Sequence, residues 1–476
     1  MNNLKKKLRF LVWYIAEYIR THFVLFIIAF SLVFISILFL ASLKTILNRN
    51  IFGEKKKIGK IGNYRYDNPP VEVLNLISKA PFEINSKGQI IPVLVDQWEM
   101  RENGKVFRIF FKKHLLWNDG TSFKVDDIIS NLPQGGKIQK LDDFTVEIQL
   151  DKPTIIYPYY LTKPIFKYPL IGIGGDFFIK NIQLNKDQTI KKIILVGKTE
   201  PITVEFEYFN SEHQLINAFK LGKIDEFELQ NSESLQTLTN WKNTKIEKGV
   251  NYNQLVTIFF NLESELLKQE KIRQAIELLL PWQELSKYGE IAKGPIPPNS
   301  IFFNKKLPAK EQNQEKAETL ISTVLSDLQS ATESAKILDK TISIKTDYRL
   351  LSIAENLSEK LNQLKIKNQV EIINSINDLN FDILLVTWTV PPEVDQYFFW
   401  HSTQFYSNDN SSEKKANITH YVNLKVDQLL ESSRSTLQFS EQIISLYKFQ
   451  EEIVKDKPAI FLYFPYNYRV IRKQIL

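Results

Sequence analysis

Pro391 and Pro392 constrain this chain more than any other feature, because they end a run that reads as a strand and force the backbone out of its sheet. The run, Phe381 to Thr387, is short and nearly continuously apolar, and polar or proline residues bound it on both sides. That pattern suits a buried parallel strand. Beyond the prolines, the loop to Phe405 gathers Glu393, Asp395, Tyr397, Trp400, His401 and Ser402, with Trp388 just before it. In open α/β sheets, ligands bind outside the carboxyl ends of the strands. Trp388, Glu393, Asp395, Tyr397, Trp400, His401 and Ser402 are therefore the candidate ligand-binding residues. Rings buried as core beside solvated carboxylates explain this loop equally well when it is taken alone.

The strand has the right neighbours. Ile342–Thr346, a helix from Ser352 to Leu364, Val370–Ile373 and then Phe381–Thr387 alternate as a parallel βαβ lobe should. Val256–Asn261 is another continuous apolar strand, suited to crossing between lobes. Lys271–Leu280 is helical, with Ile272, Ala275, Ile276 and Leu279 on one face. Gln312–Asp339 is polar and helix-prone. A chain of 476 residues exceeds one hydrophobic core, so two or three domains are expected.

Charge is segregated. Eleven Lys or Arg against two acids lie in residues 1–60, whereas residues 61–476 are close to neutral, which gives no polyanion-binding signature and no nucleic-acid partner. Phe23–Leu43 is an uncharged run long enough to cross a hydrocarbon core of ~30 Å. It exceeds the apolar region of a removable signal peptide and predicts an uncleaved single-pass anchor, although Ala41 is a small residue of the kind cleavage sites use. Residues 1–22 then read as a cytoplasmic basic segment, with Trp13, Tyr14 and Tyr18 at headgroup level. Five basic residues precede the run and six follow it, so flanking charge does not orient it. Residues 44–60 read as a Lys-rich linker, with folded protein from Ile61.

Toward the amino end, Val106–Phe111 and Thr145–Leu150 read as strands. Trp117–Gly120 reads as a turn, and Ser122–Leu132 as a short helix with Asp126 and Asp127 in its first turn. There is no Cys, hence no disulfide, thiolate metal site or Cys nucleophile. The five histidines (His22, His114, His213, His401, His420) show no metal-ligand spacing, and no P-loop, dinucleotide fingerprint or nucleophile elbow is present. No cofactor and no catalysis are expected. His401 beside Ser402 reads as structural, because adjacent loop residues rarely face each other.

One order of motifs is more specific than any single piece. It begins with Gly88, Ile90, Pro92, Leu94 and Trp98, then Leu115–Gly120, then Asp142–Leu150. It continues through Ala218, Gly222, Ile224 and Asp225, Ile258–Asn261, Ile272–Ile276 and Gly294–Pro298, to Tyr421, Asn423, Val426, Asp427, Leu429 and Leu430, then Leu446, Tyr447, Gln450 and Pro458. This order resembles the extracellular solute-binding proteins of family 5, the dipeptide and oligopeptide receptors of ABC importers, across nearly all of residues 70–470. Gly172, Gly174 and Gly175 resemble the family's domain-linking glycines.

The resemblance implies a two-lobed periplasmic-binding-protein-like α/β fold of type II, with a discontinuous first lobe and, here, one transmembrane helix before it. The expected division is 61–257 for lobe I, 258–460 for lobe II and 461–476 returning to lobe I. The implied function is capture of a peptide or small solute and its delivery to ABC permease subunits, from a large extracytoplasmic domain held to the cell membrane. The alternative is a receptor-like envelope scaffold that has lost transport and binds a protein partner. The resemblance also implies an Asp three residues after Trp388, for the peptide's ammonium group, but Pro391 stands there, which leaves two alternatives: Glu393 or Asp395 supplies the charge, or the ligand has no ammonium group to hold. Lys124 stands where the family caps a helix with Thr or Ser. The short interval from Asp127 to Asp142 implies a trimmed first lobe, and the few residues after Arg472 imply that the lobe's last strand is lost.

Overall fold

The computed structural model describes residues 2–22, 24, 28, 31–36, 53–85, 88–133, 136–230, 233–239, 241–330, 340–373, 380–390, 395–405, 416–436 and 438–473. A twelve-stranded mixed sheet runs through the molecule, and the two lobes are its two ends.

The second lobe shows why its strands read as unbroken apolar runs. Gln254–Phe260 is antiparallel to Ile383–Thr389, which is parallel to Ile342–Thr346, itself parallel to Asn368–Ile372. Successive side chains of a strand point to opposite faces, and both faces are covered here. Ile258, Phe260, Ile383 and Leu385 pack under the helices Glu270–Leu279, Gln314–Ser330 and Leu351–Gln363. Leu255, Phe259, Leu384 and Val386 pack with Trp400, Phe449 and Phe461 under Leu424–Ser435 and Phe439–Asp456. The expected βαβ order is present, extended by antiparallel strands on one side.

The first lobe begins earlier than expected. Glu54–Ile61 is a strand, not a linker, parallel to Ile202–Phe209 over its whole length and to Glu226–Leu229 at Ile58 and Gly59. Four lysines hid it from a hydrophobicity reading, yet Lys55 pairs with Glu205 (2.7 Å) and Lys60 with Glu228 (2.8 Å) on neighbouring strands. Gly59 lies where the helix Glu212–Lys220 crosses, and a Cβ there would make the side-chain tips of Ile224 and Leu215, 2.4 and 2.5 Å away, shift.

The expected return of the chain to the first lobe is made by one long strand. Ala459–Arg472 is a single strand whose first half pairs with Gln254–Phe260 and Gly289–Ile291, and whose second half pairs with Thr244–Val250 and Glu226–Leu229. It therefore belongs to both lobes, so the boundaries drawn at 257/258 and 460/461 fall inside continuous strands. The crossings lie side by side at Asn251–Gln254 and Tyr463–Tyr466, where Asn251 N donates to Pro465 O (2.8 Å).

A third unit was not separated in the sequence. Val95–Arg101, Val106–Phe111, Thr145–Leu150 and Gly136–Asp142 form an antiparallel sheet with its own core, including Phe107, Ile109, Trp117, Phe123 and Ile148. It joins the first lobe through Gly172 and Gly175, where a Cβ would meet the Ile77 backbone at 2.2 Å. The expected helix Ser122–Leu132 is two 3-10 turns, Val125–Asp127 and Ile129–Asn131. Lys124 has no acceptor with which to cap a helix, so Asp127 Oδ2 accepts both Lys124 N (3.0 Å) and Trp117 Nε1 (2.8 Å). Pro133 then holds Leu132 extended (ψ 145°).

At the amino end, Asn2–Thr21 is a helix. Of the expected span Phe23–Leu43, only Val24, Ile28 and residues 31–36 are among the described residues, and these are helical. No helix among the described residues is long and apolar enough to cross a membrane.

Candidate functional site

The strand Ile383–Thr389 delivers its loop to the junction of the lobes. Thr389 pairs with Gln254, and Val390 N donates to Asn253 O (2.8 Å), so the loop starts against one of the two crossing segments. Trp388 is half-buried on that strand. Its indole N–H donates to the buried Thr257 Oγ1 (3.0 Å), and its ring meets Phe259 and Phe399 edge-on at 5.8 and 5.0 Å. Pro391, Pro392 and Glu393 lie outside the described residues.

Asp395 marks the other end of the loop and is buried. Its carboxylate accepts from the Tyr160 hydroxyl and lies 3.6 Å from Arg434 Nε. Tyr160 belongs to the third unit and Arg434 to the last turn of Leu424–Ser435 in the second lobe. The same seam carries a second bond, from Ile155 N to Arg434 O (2.9 Å), which satisfies a carbonyl at that helix end. The Arg434 guanidinium stacks over Tyr397 (4.3 Å) and Phe398 (5.2 Å), and its buried Nε has no hydrogen-bond partner among the described residues. Burial, and then the charge of Asp395, pushes the Tyr160 hydroxyl well above the usual phenol range. It stays protonated and donates. The three groups form a polar latch between units, beside a cavity of about 20 Å³ bordered by Ile156, Tyr159, Phe302 and Gln442.

The remaining candidates are placed differently from the expectation. Trp400 is fully buried, stacked on Phe259 (6.2 Å) with its N–H on Gln396 Oε1 (3.0 Å), so it is core and presents no wall to a ligand here. Tyr397 is largely covered by the His401 ring at 4.2 Å and by Arg434. Ser402 gives both its amide (2.9 Å) and its hydroxyl (2.6 Å) to Asp427. His401 Nδ1 accepts from Thr403 N (3.1 Å), and Nε2 lies 3.2 Å from Glu431. Both side chains fasten the loop to the helix Leu424–Ser435, and His401 has no hydrogen bond to Ser402 among those of the described residues. Of the seven candidates, the structure brings Asp395 and Tyr397 together around Arg434 and sets Trp388 apart at the hinge.

Sequence reading missed Tyr160, Arg434 and Thr257. Asp395 and Tyr160 are 235 positions apart, and no local pattern announces a pairing at that distance. Asp427 was noted as part of a motif, without its role as the acceptor that fixes Ser402. Among the described residues no group of three or more His, Asp or Glu side chains is placed to hold a metal ion.

Residues 89–411 match the family described as "Bacterial extracellular solute-binding proteins, family 5 Middle". The chain belongs to this family. It is a solute-binding protein of the ABC-importer type and not an enzyme. It is 25% identical over 492 residues to the oligopeptide-binding protein AppA of Bacillus subtilis (strain 168), covering 88% of this chain and 87% of that protein. The structure of B. subtilis AppA in complex with a nonapeptide matches with a TM-score of 0.64 at 20% identity, covering 88% of this chain and 94% of that one. NikZ from Campylobacter jejuni in complex with Ni(L-His) matches with a TM-score of 0.66 at 20% identity and the same coverage. DppA from Helicobacter pylori in complex with the peptide STSA matches with a TM-score of 0.66 at 16% identity, over 89% of this chain and 95% of that one. These structural likenesses carry the fold. In this family-5 chain the Tyr160, Asp395 and Arg434 contacts join parts far apart in sequence.

Proposed function

We propose that this protein is the membrane-anchored substrate-binding component of an ABC importer, and that its two lobes close on a peptide or peptide-like solute. The observation that carries the reading is the pair of strand crossings at Asn251–Gln254 and Tyr463–Tyr466, with the 388–402 loop starting directly on the first. A solute touching Trp388 would touch the hinge as well, so binding and closure would be coupled. Likeness to AppA, whose structure holds a nonapeptide, favours a peptide, with recognition through backbone groups as in strand addition. Trp388 would then supply an apolar wall, and Glu393 the charge for a terminal ammonium group, because Asp395 is engaged by Arg434 and Tyr160. The family is extracellular, which favours an extracytoplasmic α/β domain, with Phe23–Leu43 as its anchor. Mass spectrometry of small molecules released from the purified protein by denaturation tests this reading. Peptides recovered in stoichiometric amount are expected. A nickel chelate recovered instead would redirect the assignment to the class of solute that NikZ holds.

A further inference from the structure

Among the described residues, the helix Asn2–Thr21 has no apolar partner for its exposed face. Leu11, Val12, Ile15 and Tyr18 recur at helical spacing within about 120° of arc at 100° per residue. Together with Phe10, Trp13 and Tyr14, their side chains are between 48% and 68% exposed. Lys6, Arg9, Glu17 and Arg20 lie across the helix, and Trp13 stands among them. The helix closes with Thr21, whose hydroxyl bonds back to Glu17 O (2.8 Å) and Tyr18 O (3.2 Å), immediately before the uncharged run.

Charge identifies what covers the apolar face. The helix holds basic residues on its polar side with one acid, Glu17, whereas residues 61–476 are close to neutral. A complementary partner is therefore anionic and apolar at once, as a bilayer containing acidic lipid is. Lys6, Arg9 and Arg20 are too costly to sink into hydrocarbon, so the helix lies along the surface and does not cross it. The lysines of the following strand cannot share this role fully, because Lys55 and Lys60 are paired with Glu205 and Glu228.

We propose that Asn2–Thr21 is an interfacial helix that lies flat on an anionic bilayer, with Leu11, Val12, Ile15 and Tyr18 in the acyl boundary and Lys6, Arg9 and Arg20 toward the headgroups. This site is separate from the solute cleft and does not rest on the solute assignment.

The absence of cysteine from the chain makes the test direct. Leu11→Cys, Ile15→Cys and Glu17→Cys are each labelled with a small fluorophore in the full chain and reconstituted into phosphatidylcholine vesicles with or without about one-third phosphatidylglycerol. A water-soluble quencher then reports exposure. In the anionic vesicles, probes at 11 and 15 should be quenched several-fold less than the probe at 17. Changing Lys6, Arg9 and Arg20 together to Gln should abolish that contrast, since three basic contacts correspond to roughly a hundredfold in surface affinity. Equal quenching at all three positions, equal protection at all three, or the same contrast in purely zwitterionic vesicles would each overturn the proposal.

Discussion

Asp395→Asn should weaken solute binding whatever the chemistry of the solute's amino terminus. Asparagine keeps the shape and still accepts from Tyr160, but it removes the negative charge 3.6 Å from Arg434 Nε. The Asp395 side chain is 4% exposed and that of Arg434 16% exposed, so solvent replaces little of the loss while the units are docked. A charge-assisted contact in such a place contributes about 1.5–3 kcal/mol, and the ceiling for stranding a buried guanidinium is about 3–5 kcal/mol. When the units separate, water solvates Arg434 and the penalty disappears. The substitution therefore disfavours the closed state specifically, and roughly 1.5–3 kcal/mol there weakens binding about ten- to a hundredfold. Tyr160→Phe removes one hydrogen bond to the same carboxylate and should reproduce part of the effect. Calorimetry with a peptide and its N-acetylated form is the assay. The latch predicts the same loss for both peptides. Loss confined to the free amino terminus would refute the latch and make Asp395 the group that reads the solute's ammonium.

Three further outcomes are expected. Glu277→Gln should destabilise the second lobe by about 3–5 kcal/mol in urea unfolding, because it leaves Lys310 and Lys457, 2.6 and 2.8 Å away, without their shared counterion. Burial pushes the Glu277 carboxyl up, but the two lysines together outweigh it and hold it below the usual carboxylate value. Its contribution is thus complete above the unfolded-state value of about 4.3 and is lost as pH falls through the lower folded value, so the difference between wild type and variant should shrink in acid. Protein truncated before Gly53 should fold, whereas truncation at Ile61 should not yield soluble protein, since it removes a strand from between Ile202–Phe209 and Glu226–Leu229; size-exclusion chromatography distinguishes the two. Glu393→Gln should weaken a free-terminus peptide about tenfold and leave its acetylated form unchanged in the same calorimetric assay.

Local signals in the sequence were reliable where packing follows from side-chain pattern. Val106–Phe111 and Thr145–Leu150 have the bounds that alternation predicts, and Ile383–Thr389 lies two residues beyond the expected run. Pattern failed where charge replaced hydrophobicity. Glu54–Ile61 carries four lysines; backbone ladders to Ile202–Phe209 and Glu226–Leu229 make it a central strand, and Lys55 and Lys60 find their acids on those strands. It failed again for Ala459–Arg472, where one strand serves two lobes and no residue marks the change. In the loop, residue types pointed to the right neighbourhood and often to the wrong role. An aromatic such as Trp400 has the same identity as core and as cleft wall, and only Phe259 and Phe461 against it decide which. Asp395 stands out in the sequence for its charge, while Tyr160, one of the two partners that commit that charge, lies 235 positions before it.

Single-molecule energy transfer between the lobes measures the proposed closure on a solute. Lys186→Cys in the first lobe and Gln363→Cys in the second are exposed positions in a chain otherwise free of cysteine. A peptide shown to bind by calorimetry is expected to move the population to a single new transfer efficiency, and Asp395→Asn to require more peptide to reach it. A distribution that is unchanged when that peptide saturates the protein would show that the lobes do not close on it.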